Sequence, residues 1–339
     1  PGLRWVLASR AWPQVPLARW RALGRLAELE TDDLRLQDAE SQSLLDALLG
    51  HPGSQAAAEL VFRRSEGWPV GQRLMAIAWR RGRHPSRPPL RVAGDERDIT
   101  DYFVEEVFSR MAQDQQAFVL HTCMVERLCG ELCQVLTGRA DSHRQLIELE
   151  QAGLFVLPMD RTRRWYRYHP LFAECLAGQL RRQDVEAWAE GHRRASRWFG
   201  GAGMFDEALD HAMRSGDAAF CAEWLDQCWG AINHHGYFSR VSGLADTLPN
   251  SVLDRFPRVQ MWRALYLTVE GRLPEAAELL QRLEVNLASG LPMASADGQK
   301  LAEWRYLLTH RRMVLAVFRD DLTELERLCD ALQHGPPAA

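Results

Sequence analysis

The sequence predicts a mainly α-helical chain that contains one β-hairpin. Apolar residues recur at helical spacing through most of the chain. Two strand-like runs, at 154–159 and 165–168, are joined by a short polar turn. From about residue 185, pairs of helices recur with a period near 34 residues. Two further strands are expected nearer the start, an apolar run at 4–9 and a shorter one at 33–36.

Composition and charge indicate a globular protein and exclude several other classes. Of the 339 residues, 46% are hydrophobic and 25% are charged, which is ordinary for a chain long enough for two or three domains. No apolar run approaches the roughly 18 residues that a membrane span needs. The net charge of −4 provides no overall basic footprint for nucleic acid.

The cysteines and the first residues bear on where the protein functions. The seven cysteines are odd in number and scattered, which indicates a reducing cytoplasm rather than a disulfide framework. Cys129 and Cys133 are interpreted as buried small residues, with a metal site as the alternative. Because Pro1 begins an apolar run with no basic region or cleavage pattern before it, we expect a piece of a longer protein without a signal peptide.

Three helices are predicted between residues 38 and 81. They cover residues 38–49, 55–66 and 70–81. A Gly-Trp-Pro tripeptide at 67–69 separates the last two. The basic, proline-rich stretch at 80–91 is interpreted as a solvated linker between domains, with a phosphate contact as the alternative.

Residues 96–182 show the order of elements that defines a winged helix, with helices followed by a β-hairpin and one more helix. The predicted helices before the hairpin cover residues 98–111, 114–125, 129–136 and 141–152. Gly153 ends the last of them. After the hairpin, Pro170 begins a further helix, a favoured position because that N–H has no helical partner.

The helix before the hairpin lacks the charge expected of a DNA-reading helix. It carries Asp141, Glu148 and Glu150 against one arginine, Arg144, whereas a groove-reading helix needs positive charge near phosphates. Only the tip of the hairpin is basic. A structural or switching role is therefore favoured, with DNA binding as the alternative.

Glycine-anchored segments recur in the second half of the chain. Gly203, Gly236 and Gly271 are 33 and 35 residues apart, and an aromatic-rich helix precedes each segment. A weaker fourth copy covers residues 319–332. Two helices per repeat of this length are typical of a tetratricopeptide-like superhelix, whose tryptophans we expect in the core rather than on a ligand-stacking surface.

Four stretches together resemble one protein family. They are LASR at 7–10, EGWPVGQRL at 66–74, WYRYHPLFAECL at 165–176 and GMFDEALDHAMRSGD at 203–217. In matching order they resemble the MalT-like, LuxR-type ATP-dependent transcription activators of the STAND class of signal-transduction ATPases. The resemblance covers nearly the whole chain, and YHPLF together with GWP is its most specific part.

The resemblance implies a domain organisation. It assigns residues 1–40 to the end of a nucleotide-binding α/β ATPase module, 41–95 to a helical segment, 96–182 to the winged helix and 183–335 to the helical repeats. The sequence contains no GxxxxGK[ST] phosphate loop, no apolar run that ends in a paired Asp for magnesium and no basic helix-turn-helix after residue 330. By itself the fragment is therefore expected to be neither an enzyme nor an operator-binding protein, whereas the full-length protein is expected to be a slow ATPase switch.

The resemblance also implies contacts to ATP or ADP, and it assigns no catalytic residue and no metal ligand. Arg10 matches an arginine that senses the terminal phosphate, with an ordinary surface arginine as the alternative. Gly67, Trp68 and Pro69 match a Gly-x-Pro motif whose proline packs near the adenine. The alternative is a helix-entry turn with Trp68 in the core. His169 matches a histidine that contacts the β-phosphate of ADP.

The local chemistry around His169 suits that contact. A helix that begins at Pro170 directs free N–H groups and its positive dipole end outward, which favours an anion. An imidazole there supplies a further donor and, when protonated, a charge. In the alternative, His169 caps its own helix or packs on Tyr168.

These inferences predict the regulatory core of a cytoplasmic ATP-dependent, LuxR-type transcriptional activator. ADP would hold a closed state, and ATP with a small-molecule or protein inducer at the helical repeats would release it into a self-associated form. Promoter DNA and RNA polymerase would be contacted only through a C-terminal domain, and no membrane is involved. The alternative is a winged-helix and solenoid interaction scaffold without nucleotide coupling. The sequence does not identify the inducer or the promoter.

Overall fold

A computed structural model describes residues 5–8, 15–29, 32–81, 97–234, 238–289 and 298–333 of the chain. The chain divides into two compact units, Pro1–Ala195 and Ser196–Ala339. The described residues are mainly helical, and their paired strands form one short antiparallel hairpin in the first unit. The predicted mainly α fold with a single hairpin is therefore confirmed.

The two early strands are not formed. Residues 5–8 have no regular structure, and Trp5 and Val6 are exposed. A strand with apolar side chains forms stably only when neighbouring strands pair with it, and no described segment does so. Residues 33–36 were also expected to be a strand, but Asp32–Leu34 is a 3-10 turn. A short helix that the sequence did not predict, α1 (Leu17–Ala22), lies between these two segments.

The helical segment of the first unit contains α2 (Asp38–Leu49), α3 (Gln55–Ser65) and α4 (Pro69–Arg81), as predicted. Ser54 caps α3 by accepting a hydrogen bond from the backbone N–H of Ala57 at 3.3 Å. Gly50 ends α2 in the left-handed conformation. The three helices pack on one another through buried apolar side chains that include Leu45 and Met75.

The winged helix begins with α5 (Arg97–Tyr102). The helix continues through a π-helical turn, Phe103–Val107, and a 3-10 turn, Phe108–Arg110. The next helices are α6 (Gln113–Thr122), α7 (Gly130–Thr137) and α8 (Ser142–Gln151). Then β1 (Val156–Pro158) pairs with β2 (Tyr166–Tyr168), and α9 (Pro170–Gln183) follows.

Aromatic side chains form the core of the winged helix. Tyr166, Phe103, Phe118 and Phe172 are almost fully buried. The hydroxyl groups of Tyr168 and Thr122 lie 2.6 Å apart, so β2 is joined to α6 by a buried hydrogen bond. This core places the end of β2 and the start of α9 at fixed positions.

Helix α10 (Val185–Gly201) contains the boundary between the two units. The second unit continues with α11 (Phe205–Arg214), α12 (Ala218–His234), α13 (Phe238–Thr247), α14 (Asn250–Leu253), α15 (Pro257–Val269), α16 (Leu273–Ser289), α17 (Gly298–Phe318) and α18 (Leu322–Gln333). The recurring glycines Gly203 and Gly271 have φ values of 75° and 78°, the left-handed conformation that ends a helix. Trp224 and Trp304 are buried, as expected of tryptophans between helical layers.

Candidate functional site

A tight turn joins α3 to α4 and contains the Gly-Trp-Pro tripeptide. Glu66 and Gly67 are both left-handed, with φ values of 49° and 75°. A Cβ atom on Gly67 would lie 2.5 Å from the carbonyl oxygen of Leu36, so only glycine fits there. The N–H of Leu36 donates to the Gly67 carbonyl at 2.9 Å. Pro69 then occupies the first position of α4.

Trp68 lies in an aromatic cluster. Its ring centroid is 5.7 Å from those of Tyr102 and Phe103, 5.1 Å from that of Phe155 and 5.6 Å from that of His169. These contacts place the half-buried Trp68 side chain of the α3–α4 turn against the winged helix.

His169 connects the winged helix to the turn after α3. The residue is 5% exposed and lies at the N-cap position of α9, but its side chain makes no capping bond. Its Nε2 atom is 3.0 Å from the main-chain carbonyl oxygen of Ser65. A carbonyl only accepts hydrogen bonds, so Nε2 carries the proton. The other ring nitrogen, Nδ1, is buried without a hydrogen-bond partner in the described part of the chain.

Burial lowers the pKa of His169. The bond to Ser65 and the negative charge of Glu66 oppose that effect, and the positive charges of Arg167 and Arg35 add to it. A neutral ring with its proton on Nε2 offers only a lone pair at Nδ1. Phosphate oxygens accept hydrogen bonds, so this ring can donate to a phosphate from Nδ1 only after it takes up a second proton.

Two ion pairs join the helical segment to the winged helix. Arg167 in β2 forms a bidentate pair with Glu66, with N–O distances of 2.7 and 2.8 Å. Arg64 in α3 pairs with Glu174 in α9. Burial raises the pKa of Glu174, and the charge of Arg64 opposes that rise. Together with the His169–Ser65 bond, these pairs hold the winged helix on the turn after α3.

The backbone next to His169 is strained. Phe155, just before β1, has a φ value of 59°, which is rare for a bulky side chain. Its carbonyl oxygen accepts a hydrogen bond from the N–H of His169 at 2.8 Å. Strained backbone that persists because its surroundings impose it often marks a switching or binding site.

An open cleft of about 290 Å³ lies beside these contacts. It is lined by Arg35, Leu36, Gln37, Phe62, Arg63, Glu66 and Arg167. Sequence reasoning did not identify Ser65, Glu66 or Arg167 as site residues. The only signal for them was an acidic residue beside the tripeptide and a basic residue two positions before His169.

The structure brings together most of the predicted nucleotide-binding residues. Trp68 of the tripeptide packs against His169, about 100 residues away in sequence, and Ser65 just before the tripeptide bonds to the same ring. Arg10 lies outside the described residues, as do Gly236 and residues 82–91 of the basic loop. The contacts therefore join the Gly-Trp-Pro turn to the histidine and leave the arginine unplaced.

The described residues offer neither a metal-binding cluster nor a membrane-crossing helix. In the ranges that the structure describes, no cluster of three His, Cys, Asp or Glu side chains is arranged to hold a metal ion. Burial raises the pKa of Cys129 to about 11, and it holds that of Cys133 well above its ordinary value. Within the described helices, none has both the length and the hydropathy that a bilayer crossing demands.

Charge on α8 and the hairpin is largely paired. Arg139 and Arg144 both contact Asp141, and Arg139 holds the pKa of that carboxyl well below its ordinary value. Arg163 at the hairpin tip pairs with Glu150 of α8. This pairing reduces the positive charge that a DNA backbone would meet.

Comparison with known proteins agrees with the architecture. Residues 104–188 match the family model of the MalT winged helix domain. The chain is 28% identical over 334 residues, 98% of its length, to serine/threonine-protein kinase PknK of Mycobacterium tuberculosis and of Mycobacterium bovis. It spans 29% of the length of these relatives. The MalT-like resemblance that the sequence predicts is thus confirmed, and the matched segment overlaps the predicted winged helix at 96–182.

Proposed function

We propose that this chain, whose residues 104–188 form a MalT-type winged helix domain, is the regulatory core of an ATP-dependent, LuxR-type transcription activator. In the proposed closed state, ADP keeps the winged helix docked on the helical segment. The observation that carries the proposal is the contact between His169 and the turn that holds Gly67, Trp68 and Pro69. Two segments that the family resemblance singles out for nucleotide contact lie side by side.

The residues present suit a diphosphate. The N-terminus of α9 provides a positive dipole end beside His169, although the N–H groups of Phe172 and Ala173 already donate to the His169 carbonyl. The buried Nδ1 of His169 has no hydrogen-bond partner among the described residues. Arg35 and Arg167 add positive charge nearby. A phosphate beside the ring raises its pKa, so ADP binding is coupled to protonation of Nδ1.

Release of the closed state requires ligands that bind the open form more tightly than the closed form. The contacts that must break are the His169–Ser65 bond and the ion pairs Glu66–Arg167 and Arg64–Glu174. ATP and an inducer shift the equilibrium only by the difference in their affinities for the closed and open forms. Strain at Phe155 favours departure from the closed state.

The relatives support a separable regulatory module. Their name gives them a kinase activity, yet nearly all of this chain aligns with less than a third of their length. We infer that the same module serves proteins with different outputs. Five of the cysteines, all free and buried, suit a cytoplasmic location: Cys123, Cys129, Cys133, Cys175 and Cys221.

ADP retention tests this proposal. The full-length protein that contains the chain is purified as wild type, as His169→Ala and as His121→Ala, and the ADP that stays bound is measured after dilution. His121 is an exposed histidine on α6 and serves as the matched control. We expect His169→Ala alone to lose ADP. Equal retention in all three proteins would favour the interaction scaffold, because the packing of Trp68 and His169 requires no nucleotide.

A further inference from the structure

Arg311 is a buried cation in the second unit. It lies on α17 and is 6% exposed. Its guanidinium carbon is 4.4 Å from the ring centroid of Trp262 on α15, a helix that packs on α17. Its Nη1 atom is 3.0 Å from Nδ1 of His310, which accepts the hydrogen bond. Its Nε atom is buried without a hydrogen-bond partner among the described residues.

Arg311 differs from the neighbouring Arg312 in its partners. Arg312, the next residue, pairs with Glu284 at 2.8 Å and with Glu324 at 3.1 Å. In the described ranges no carboxylate pairs with Arg311, and its pKa is lowered by burial with no acidic group to oppose the shift. A buried charge without a counter-ion is costly, and the contact with Trp262 offsets only part of that cost.

The hydrogen-bonding edge of Arg311 is only partly used, since Nη1 donates to His310 whereas Nε has no hydrogen-bond partner among the described residues. The guanidinium carbon lies over the Trp262 ring, and the N–H groups of a guanidinium point outward within its own plane. Carboxylate and phosphate oxygens bind an arginine through two such parallel N–H groups. His310 lies beside this edge, and burial together with the charge of Arg311 lowers its pKa, which favours the neutral ring that accepts from Nη1.

We infer that Arg311, with His310 and Trp262, forms a site for the carboxylate or phosphate group of a small ligand. The bound oxyanion accepts hydrogen bonds from Nε and an Nη of Arg311 and supplies the missing counter-charge. Only the identification of this ligand as the inducer rests on the proposed function. Binding of the oxyanion itself depends on the contacts of Arg311.

Thermal unfolding of the full chain tests the site. Sodium phosphate and sodium acetate are titrated separately against sodium chloride at constant ionic strength, with wild type, Arg311→Met and Arg312→Met. We expect a saturable rise in Tm for wild type and for Arg312→Met, and only the general salt effect for Arg311→Met. A response to phosphate alone identifies a phosphate ligand, and a response to acetate alone identifies a carboxylate.

The stability and anion affinity of the Arg311 variants provide further readouts. Without a bound anion, Arg311→Met is expected to be at least as stable as wild type, because an unpaired buried charge is removed. If that variant does not fold, Arg311→Lys retains a charge without the planar fork, and its apparent anion affinity should fall about tenfold. A Tm rise that is the same in wild type and the Arg311 variants would overturn the assignment. The nucleotide proposal names residues of the first unit, whereas Arg311 lies in the second, so failure here is separable from failure of that proposal.

Discussion

The Nε2 atom of His169 lies 3.0 Å from the main-chain carbonyl oxygen of Ser65, and this bond joins the start of α9 to the end of α3. The two residues are 104 positions apart in sequence. The imidazole is therefore part of the contact between the helical segment and the winged helix in this structure.

Replacement of His169 by alanine should destabilise the first unit. The change removes a buried hydrogen bond and leaves a void beside Trp68 and Phe155. We expect the free energy of unfolding in urea to fall by about 2 kcal/mol. The exposed control His121→Ala should change it by less than about 0.5 kcal/mol. Equal stability of the two variants would show that the His169 contact contributes little.

Gly67 should tolerate alanine less well than Gly50. Both residues have φ near +77°, but a Cβ atom on Gly50 meets nothing within 4 Å, whereas one on Gly67 lies 2.5 Å from the Leu36 carbonyl oxygen. Gly50→Ala should cost about 1 kcal/mol for the left-handed backbone alone. Gly67→Ala should cost at least about twice as much, since the neighbouring backbone must also move. Chemical denaturation measures both, and similar costs would contradict the close approach of Leu36.

Glu66 and Arg167 should be energetically coupled. Their bidentate pair is partly buried and links the α3–α4 turn to β2. A double-mutant cycle with Glu66→Gln and Arg167→Gln should give a coupling energy of about 1 kcal/mol. Arg144→Gln, on the exposed face of α8, serves as a control that should not couple to Glu66. A coupling energy near zero would show that the pair does not help to hold the winged helix.

The second unit should lose stability in mild acid because of His211. Its ring stacks on Phe199, and burial, with a smaller contribution from Arg214, lowers its pKa to about 4. The unfolded chain therefore binds more protons than the folded one between about pH 6.5 and pH 4, and stability falls as the pH falls through that window. The loss amounts to roughly 3 kcal/mol at most.

The variant His211→Gln identifies the group responsible for this acid sensitivity. Glutamine does not titrate, so the pH dependence of unfolding between pH 6.5 and pH 4 should become shallower than in wild type. Urea denaturation at a series of pH values measures the slope. An unchanged slope would assign the sensitivity to other groups.

Local signals predicted the helices and the hairpin well. Gly50 and Gly153 end helices in the left-handed conformation, and Pro170 begins α9, because each residue acts on its own stretch of backbone. The strand expected at residues 4–9 was wrong for residues 5–8, since a strand depends on neighbours that no local pattern reveals. The strand expected at 33–36 was wrong for the same reason.

The candidate site was predicted only in part. The motifs at Gly67 and His169 were visible in the sequence, but the Ser65 carbonyl is a backbone atom that no side-chain pattern marks. The pairing of Glu66 with Arg167 also depends on how the chain folds back on itself. Arg311 looked like any other arginine, because its burial without a carboxylate is a property of packing between α15 and α17.

The pH dependence of ADP affinity tests the central claim most directly. In the full-length protein, ADP dissociation constants are measured from pH 6 to pH 8 for wild type, His169→Ala and His121→Ala. If ADP binding is coupled to protonation of Nδ1 of His169, the ADP affinity of wild type and of His121→Ala should fall as the pH rises. The fall should exceed that of His169→Ala by up to about tenfold per pH unit. Identical pH profiles for all three proteins would contradict a contact between His169 and the diphosphate.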